Sequence, residues 1–288
     1  TKSYKFERAV KENIKSPRLL MPIYKTWDHQ ITCGDHNVIV RLYTPPKQIN
    51  QNRILLFLHG GGWVTESIDT YNEVCKNLAY LTKCRVASVE YRLAPENPFP
   101  NGLEDCYNVA KEIFNNPELL HIHAKELILI GDSAGANLAA AVSLMARDRG
   151  DFLISKQILI YPATFNDHTE NSPFKSVKEN STGYLLTSKR ICEYLSLYAS
   201  SPEDYQNPYF APLLSQDLTN QPETLIITAE YDPLRDEGHA YAKALSKSGV
   251  KVEYHCIENA LHGFFSLDAK YKAVRSAYKF INSFLNNA

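Results

Sequence analysis

The chain has 288 residues, of which 44% are hydrophobic and 22% charged, and its formal net charge at pH 7 is −1. A near-neutral chain without long basic runs argues against nucleic acid or an anionic membrane as the main partner, and favours a neutral or small substrate. No stretch reaches the roughly 18 uninterrupted apolar residues of a membrane-spanning helix, and the lysine-rich start lacks the apolar region of a signal peptide. We therefore expect a cytoplasmic protein that does not bind membranes.

Short apolar runs rich in β-branched residues recur along the chain and predict eight strands. They cover residues 27–32, 37–43, 53–59, 85–91, 126–132, 156–161, 223–230 and 251–257. From the third strand onward, longer patterned segments predict helices at 71–82, 102–114, 135–147 and 238–248. This alternation predicts an α/β fold with a mostly parallel sheet, covered by helices on both faces and binding ligands at the carboxyl ends of its strands. The first two strands are predicted to form an antiparallel hairpin.

Two regions fall outside the alternation of strands and helices. The first twenty-odd residues have helical spacing, and the segment over about residues 165–220 is divided by prolines into short pieces. We expect both regions, at about 1–25 and 165–220, to form a cap over the core. The whole chain, 1–288, is then a single domain.

Six cysteines and one histidine pair are the candidate ligands for a metal ion in this sequence. The six cysteines show no C-x-x-C pair and are spread over the chain, at Cys33, Cys75, Cys84, Cys106, Cys192 and Cys256. Such spacing indicates reduced thiols and predicts neither a zinc site nor a disulfide framework. His121 and His123 resemble a metal pair but lack carboxylate companions, and we expect them to be structural. No metal ion is predicted.

A G-x-S-x-G pentapeptide, Gly131 to Gly135, follows the fifth predicted strand and opens a helix. In a nucleophile elbow, the serine of this motif projects from a strained strand-to-helix turn, and the next backbone N–H points towards the substrate oxygen. A match to this pattern also arises by chance in roughly one chain in ten of this length. The interpretation of Ser133 as a nucleophile therefore depends on suitable partners elsewhere in the chain.

A serine nucleophile needs a general base, and the base needs a carboxylate to orient it. Asp232 directly follows the seventh predicted strand and His262 comes soon after the eighth, so both are expected at the carboxyl edge of the sheet with Ser133. The order serine, aspartate, histidine is the one that accompanies such an elbow. The alternatives lie in helix or strand positions and are Asp236, Glu237, His239 and His255.

Negative charge that develops on a substrate carbonyl oxygen needs hydrogen-bond donors. The run His59-Gly60-Gly61-Gly62-Trp63 follows the third predicted strand and supplies a backbone free of side chains, typical of an oxyanion loop. The predicted donors are the N–H groups of Gly61, Gly62 and Ala134.

Together these motifs resemble the hormone-sensitive lipase family of carboxylesterases. The resemblance rests on HGGGW, Tyr91 to Glu96 with Phe99-Pro100, GDSAG, Asp232 to Asp236 and His262-Gly263-Phe264, and runs from Leu55 to Phe265. It implies an α/β-hydrolase core, a helical cap built partly from the N-terminus, no metal or organic cofactor, and hydrolysis of small carboxylic esters. It also implies Ser133, Asp232 and His262 as the catalytic triad. Ala136 stands where the family often has glycine, and Glu258 to Ala260 lack the glycine that often precedes the histidine.

Substrate contacts and partners are less determined by the sequence. Trp63 and Tyr184 are candidate substrate-binding residues. Trp63 could equally serve packing, and for Tyr184 packing within the cap is the favoured role. Because the cap is small, we expect short acyl chains. Two alternatives stay open: an amidase such as an arylformamidase, which uses the same triad, and a noncatalytic homologue that binds a small ligand. The resemblance also suggests a homodimer formed through the edge near the eighth strand.

Overall fold

The computed structural model describes residues 3–13, 25–46, 53–116, 118 and 126–287. Within these residues eight strands form one sheet. The strands are β1 (Lys25–Cys33), β2 (His36–Thr44), β3 (Arg53–Leu58), β4 (Arg85–Glu90), β5 (Glu126–Asp132), β6 (Lys156–Ile160), β7 (Glu223–Tyr231) and β8 (Val252–Leu261). All eight predicted strands are confirmed, and β8 continues past the predicted end.

The described residues also form eight α-helices. They are α1 (Ser3–Asn13), α2 (Asn72–Thr82), α3 (Asn101–Asn115), α4 (Ala134–Arg149), α5 (Lys175–Glu179), α6 (Ser188–Tyr198), α7 (Arg235–Lys247) and α8 (Lys272–Asn286). The four helices predicted between strands correspond to α2, α3, α4 and α7. Helix α8 was not predicted, although its buried residues recur at helical spacing.

The sheet has the order β1-β2-β4-β3-β5-β6-β7-β8, so β5 lies near its centre. The β1–β2 and β2–β4 pairs are antiparallel, and the first of these is the predicted hairpin. Every other pair is parallel. The carboxyl ends of β5, β7 and β8 therefore meet at one edge of the sheet, which is where the candidate triad was expected.

Two hydrophobic clusters cover the two faces of the sheet, and β3 shows how its side chains alternate between them. Ile54 and Leu56 belong to the cluster that includes buried residues of α3, α4 and α7. Leu55 and Phe57 belong to the other cluster, which is completed by buried residues of α2 and α8. This arrangement is the α/β-hydrolase core, and burial on both faces explains why the parallel strands read as nearly continuous apolar runs.

The region expected to form a cap is described at residues 3–13 and 165–220. The first part is α1; the second contains α5, α6 and short 3-10 turns at Pro202–Gln206 and Pro212–Leu214. Residues 14–24 of the expected cap, and the pair His121 and His123, lie outside the described residues. Among the described helices, none is both long and apolar enough to cross a membrane. All six cysteines lie within the described residues, and none of them forms a disulfide there.

Candidate active site

Ser133 occupies the sharp turn between β5 and α4. Its backbone has φ 54° and ψ −120°, an uncommon conformation for a residue with a side chain. The turn is held by a hydrogen bond of 2.9 Å from the Ser133 N–H to the carbonyl of Ile160. A Cβ at Gly135 would collide with the carbonyl oxygens of Leu58 and His59, so α4 can approach β3 only with glycine there. The predicted elbow is therefore present.

The three candidate triad side chains meet above the carboxyl edge of the sheet. His262 Nε2 lies 2.9 Å from Ser133 Oγ, and His262 Nδ1 lies 2.7 Å from Asp232 Oδ2. Both distances are those of hydrogen bonds. Because the carboxylate faces Nδ1, it favours the tautomer whose proton is on Nδ1, which leaves Nε2 free to accept the serine proton.

The carboxylate of Asp232 is fully buried and held from both sides. Its Oδ2 faces His262, while its Oδ1 accepts the N–H of Leu234 at 2.9 Å. The side-chain amide of Asn180 donates to the backbone carbonyl of Asp232 at 3.2 Å. These bonds fix the carboxylate in a single orientation towards the imidazole.

The glycine run after β3 forms a tight turn beside Ser133. The carbonyl of Gly61 accepts the N–H groups of Val64 at 3.2 Å and Thr65 at 3.0 Å. Gly61 has φ +113° and Gly62 has φ +62°, a region that favours glycine. Gly61, Gly62 and Ala134 line the same cavity as Ser133. The three predicted oxyanion donors therefore border the cavity that contains Ser133.

His59, at the start of this loop, is buried and uncharged. Its ring stacks on Tyr91 at 4.3 Å between centroids, and its Nδ1 lies 2.8 Å from the carbonyl of Gly60. Burial lowers the pKa of His59 to about 4. The Tyr91 hydroxyl donates to the His59 carbonyl at 2.7 Å. His59 is therefore a neutral support of the loop near pH 7.

The cavity over Ser133 has a volume of about 410 Å³. Its apolar wall comes mainly from the expected cap region and the glycine loop. The larger apolar residues are Trp63, Leu185, Leu186, Ile191, Tyr194 and Leu234. A pocket of this size and character suits a small, largely apolar ligand.

Four charged side chains, here named the charged cluster, line another part of the same cavity: Glu7, Lys11, Glu66 and Arg190. Lys11 lies 3.3 Å from Glu7 and also pairs with Glu66. Arg190 pairs with Glu7, whose Oε1 accepts the hydroxyl of Tyr194 at 2.8 Å. The cluster joins α1, the glycine loop and α6, and its charges balance.

The two candidate substrate-binding aromatics occupy different positions. Trp63 lines the cavity and is buried, with its ring stacked on Tyr198 at 4.5 Å between centroids. Tyr184 is not among the residues that line the cavity, and its ring stacks on Tyr231 at 5.6 Å between centroids. Its neighbours Leu185 and Leu186 line the cavity instead.

The alternative acids and bases are engaged elsewhere. Asp236 Oδ2 accepts the N–H of Ser176 at 2.8 Å, and Glu237 Oε1 accepts the N–H of Thr164 at 2.6 Å. His239 stacks on Tyr254, and His255 stacks on Phe280.

Two sets of residues near the site were not identified from the sequence. The charged cluster was not predicted because its members come from distant segments of the chain. Asp132 was noted only as the variable second residue of the elbow motif. Its side chain is buried and accepts three hydrogen bonds. Among the described residues, no group of three or more histidine, cysteine or carboxylate side chains could hold a metal ion.

Comparison with known proteins agrees with this fold. A family model described as the alpha/beta hydrolase fold matches residues 55–266. An arylesterase of Saccharolobus solfataricus is 36% identical over 84% of this chain and 78% of its own length. An ethyl acetate hydrolase of Pseudomonas putida is 35% identical over 83% of this chain and 76% of its own. The solved structure of a Pyrobaculum calidifontis esterase, 35% identical, superposes with a TM-score of 0.86 over 98% of this chain and 90% of that one.

The fold and these relatives define the class of protein as an α/β-hydrolase that acts on carboxylic esters. Within that class, the chain belongs to the hormone-sensitive lipase family and is a carboxylesterase.

Proposed function

We propose that the protein hydrolyses small carboxylic esters with short acyl groups through an acyl-enzyme on Ser133. The observation that carries this proposal is the continuous chain of hydrogen bonds from Ser133 Oγ through His262 to Asp232, at 2.9 and 2.7 Å. A serine hydroxyl is a weak nucleophile until a base removes its proton. The chain of contacts supplies both the base and the group that orients it.

In the first step, His262 Nε2 takes the proton of Ser133 as Oγ attacks the ester carbonyl carbon. Asp232 holds the imidazole and stabilises its positive charge. His262 then gives the proton to the leaving alcohol, and the acyl group stays on Ser133. In the second step, His262 takes a proton from water as the water oxygen attacks the acyl carbon. The bond from that carbon to Ser133 Oγ then breaks, His262 returns the proton to Oγ, and the carboxylic acid leaves.

Each attack places a negative charge on the former carbonyl oxygen. The N–H groups of Gly61, Gly62 and Ala134 are the proposed donors to this oxygen, and their shared position beside Ser133 supports that assignment. Donors held in place before the reaction stabilise the charge without reorganising, and one such donor accounts for a factor of about 10² to 10³ in kcat.

Short acyl groups are favoured by the composition of the cavity. Its volume of about 410 Å³ is shared between apolar residues and the charged cluster. A long alkyl chain laid against the cluster would remove water from ions without replacing their hydrogen bonds, which is unfavourable. A small ester fits within the apolar part alone. Trp63, which lines that part, is the proposed aromatic contact with substrate.

The proposal is tested by the rates of hydrolysis of p-nitrophenyl esters of increasing chain length. We expect kcat/KM to be highest for acetate or butyrate, and Ser133→Ala to lose about 10⁴-fold or more of kcat while remaining folded. Turnover by this variant near the wild-type rate would overturn the mechanism. A parallel series of aryl formamides addresses the amidase alternative, since a higher kcat/KM for formamides would replace the ester assignment.

We also propose a homodimer and a cytoplasmic location. β8 is an edge strand of the sheet, and an unpaired edge can join that of a second copy. Light scattering after gel filtration should give twice the mass of 32.7 kDa for a dimer, and the monomer mass would contradict it. The six cysteines form no disulfide within the described residues, which suits a reducing compartment. Titration of the unfolded protein without reductant should therefore detect all six thiols.

A further inference from the structure

We propose that Asp132 is a positioning residue for catalysis. It fixes the oxyanion loop (residues 59–63) and the loop that carries His262 and Phe265, here named the histidine loop, in their positions relative to Ser133. The inference rests on the proposed role of Ser133 and extends it to the neighbouring carboxylate. Asp132 ends β5, directly before Ser133, and is 1% exposed. Its side chain accepts hydrogen bonds from Gly60, Tyr71 and Tyr161, so the role proposed for it acts through these groups.

The carboxylate of Asp132 binds the oxyanion loop directly. Its Oδ1 accepts the backbone N–H of Gly60 at 2.9 Å, immediately before the two proposed donors. A Cβ on Gly60 would lie only 2.9 Å from Asp132 Oδ2 and 2.9 Å from the Tyr71 hydroxyl, so glycine is needed for this approach. The first glycine of the run thus serves the contact with Asp132, while the next two face the cavity.

The other carboxylate oxygen reaches the histidine loop through a tyrosine. Asp132 Oδ2 accepts the hydroxyl of Tyr71 at 2.9 Å and that of Tyr161 at 3.2 Å. The Tyr161 oxygen in turn accepts the N–H of Phe265 at 3.3 Å, and its ring lies 4.7 Å from that of His262. Loops that follow β3, β5, β6 and β8 are therefore tied to one buried carboxylate.

The ionised form of Asp132 is the one that satisfies all three donors, since a protonated carboxyl group has one fewer free acceptor site. The ionisable groups that face it are Tyr71, Tyr161 and His262, and its charge also reaches Tyr91 and Cys75. Burial raises the pKa of both bonded tyrosines, which therefore remain neutral donors. Burial also raises the pKa of Asp132 to about 6, although its hydrogen bonds and His262 act in the opposite direction.

The first test is Asp132→Asn, which keeps the shape of the side chain and removes its charge. We expect kcat for p-nitrophenyl acetate to fall about 10- to 100-fold with KM changed less than about threefold, because the loss is in transition-state contacts. The inhibition constant of a trifluoromethyl ketone, whose adduct carries an oxyanion, should rise by the same factor as kcat falls. A kcat within about twofold of wild type would overturn the proposal.

The second test separates positioning from simple destabilisation. As the pH falls from about 7.5 to about 5, Asp132 of the wild type becomes protonated, so the ratio of wild-type to Asp132→Asn kcat should shrink at least about threefold. A ratio that stays constant would contradict the proposed role of the ionised carboxylate. Asp105→Asn is the matched control: it removes another fully buried carboxylate, bound to Arg92 and His36. Its kcat should stay close to wild type even if its melting temperature falls.

Tyr161→Phe decides the matter if Asp132→Asn does not fold. It removes the link to Phe265 while keeping the ring, and we expect kcat to fall about 3- to 10-fold at unchanged KM. An unchanged kcat would overturn the proposal. Failure of the underlying function is recognised separately, since it requires Ser133→Ala to keep its activity.

Discussion

The imidazole Nε2 of His262 lies 2.9 Å from the hydroxyl of Ser133, although 129 positions separate the two residues in sequence. The contact exists because parallel strands bring their carboxyl ends to one edge of the sheet. Ser133 follows β5 there, and His262 follows β8. Fold and chemistry are thus linked through strand direction.

Asp232→Asn tests the role of the carboxylate in fixing the imidazole. The amide can donate a hydrogen bond to Nδ1 and favour the wrong tautomer, so we expect kcat to fall by about 10⁴ with the fold retained. Steady-state kinetics measure the loss. Asp236→Asn is the nearby control, because Asp236 binds Ser176 and Arg235 and should leave kcat within about threefold of wild type.

Gly62→Ala tests the shape of the oxyanion loop. A Cβ at Gly62 would overlap the ring of Tyr194, and φ is already +62°. We expect kcat/KM to fall about 100-fold, since the loop must move away from Ser133. Gly150→Ala is a matched control with φ +66° and open space around its Cβ. It should cost stability but not kcat/KM; equal losses in the two variants would contradict the loop assignment.

The charged cluster is expected to restrict acyl length. In Glu7→Leu/Arg190→Leu the cavity gains apolar surface in place of the ion pair, and kcat/KM for octanoate relative to acetate should rise about tenfold. Burial of each methylene contributes about 0.8 kcal/mol, so two methylenes suffice for this factor. Glu104→Leu/Arg149→Leu removes a surface pair outside the cavity and should leave the ratio unchanged. If both double variants give the same ratio, the cluster does not set chain length.

Asp132 and His59 contribute to stability with opposite dependence on pH. The pKa of Asp132 is raised from 3.8 to about 6, so its contribution favours folding at low pH and is lost as the pH rises through 6. The pKa of His59 is lowered from 6.5 to about 4, so its contribution is present above 6.5 and is lost as the pH falls through 4. Between these values the two effects partly cancel.

Asp132→Asn removes the pH-dependent contribution of Asp132 to stability and leaves that of His59. Relative to wild type, the free energy of unfolding of the variant should be about 2 kcal/mol lower at about pH 4 than at about pH 7, because the raised pKa of Asp132 stabilises only the wild type at low pH. Urea unfolding at both pH values measures this difference. An identical pH dependence in the two proteins would show that Asp132 titrates normally in the fold.

The sequence predicted what depends on local pattern and chain order. The strands, the central helices and the meeting of Ser133, Asp232 and His262 followed from hydrophobic runs and from motifs at strand ends. Helix α8 carried a readable signal, with Val274, Ala277, Tyr278 and Ile281 all buried at helical spacing. This spacing predicts a helix after the last strand, where none had been predicted.

Other features depend on contacts between distant segments and leave no local pattern. Strand β4 lies between β2 and β3 in the sheet, and the residues of these three strands give no indication of that order. The pairing of Lys11 with Glu66 joins a helix to a loop far along the chain. Tyr184 was predicted as a candidate substrate contact. The direction of its side chain in an irregular segment depends on packing against Tyr231, which the sequence does not show.

The most direct test of the account is covalent labelling of the nucleophile. A fluorophosphonate probe should inactivate the protein with one label per chain, and peptide mass spectrometry should locate that label on Ser133. Label on another residue, or full loss of activity without label on Ser133, would contradict the central claim that Ser133 carries the acyl group.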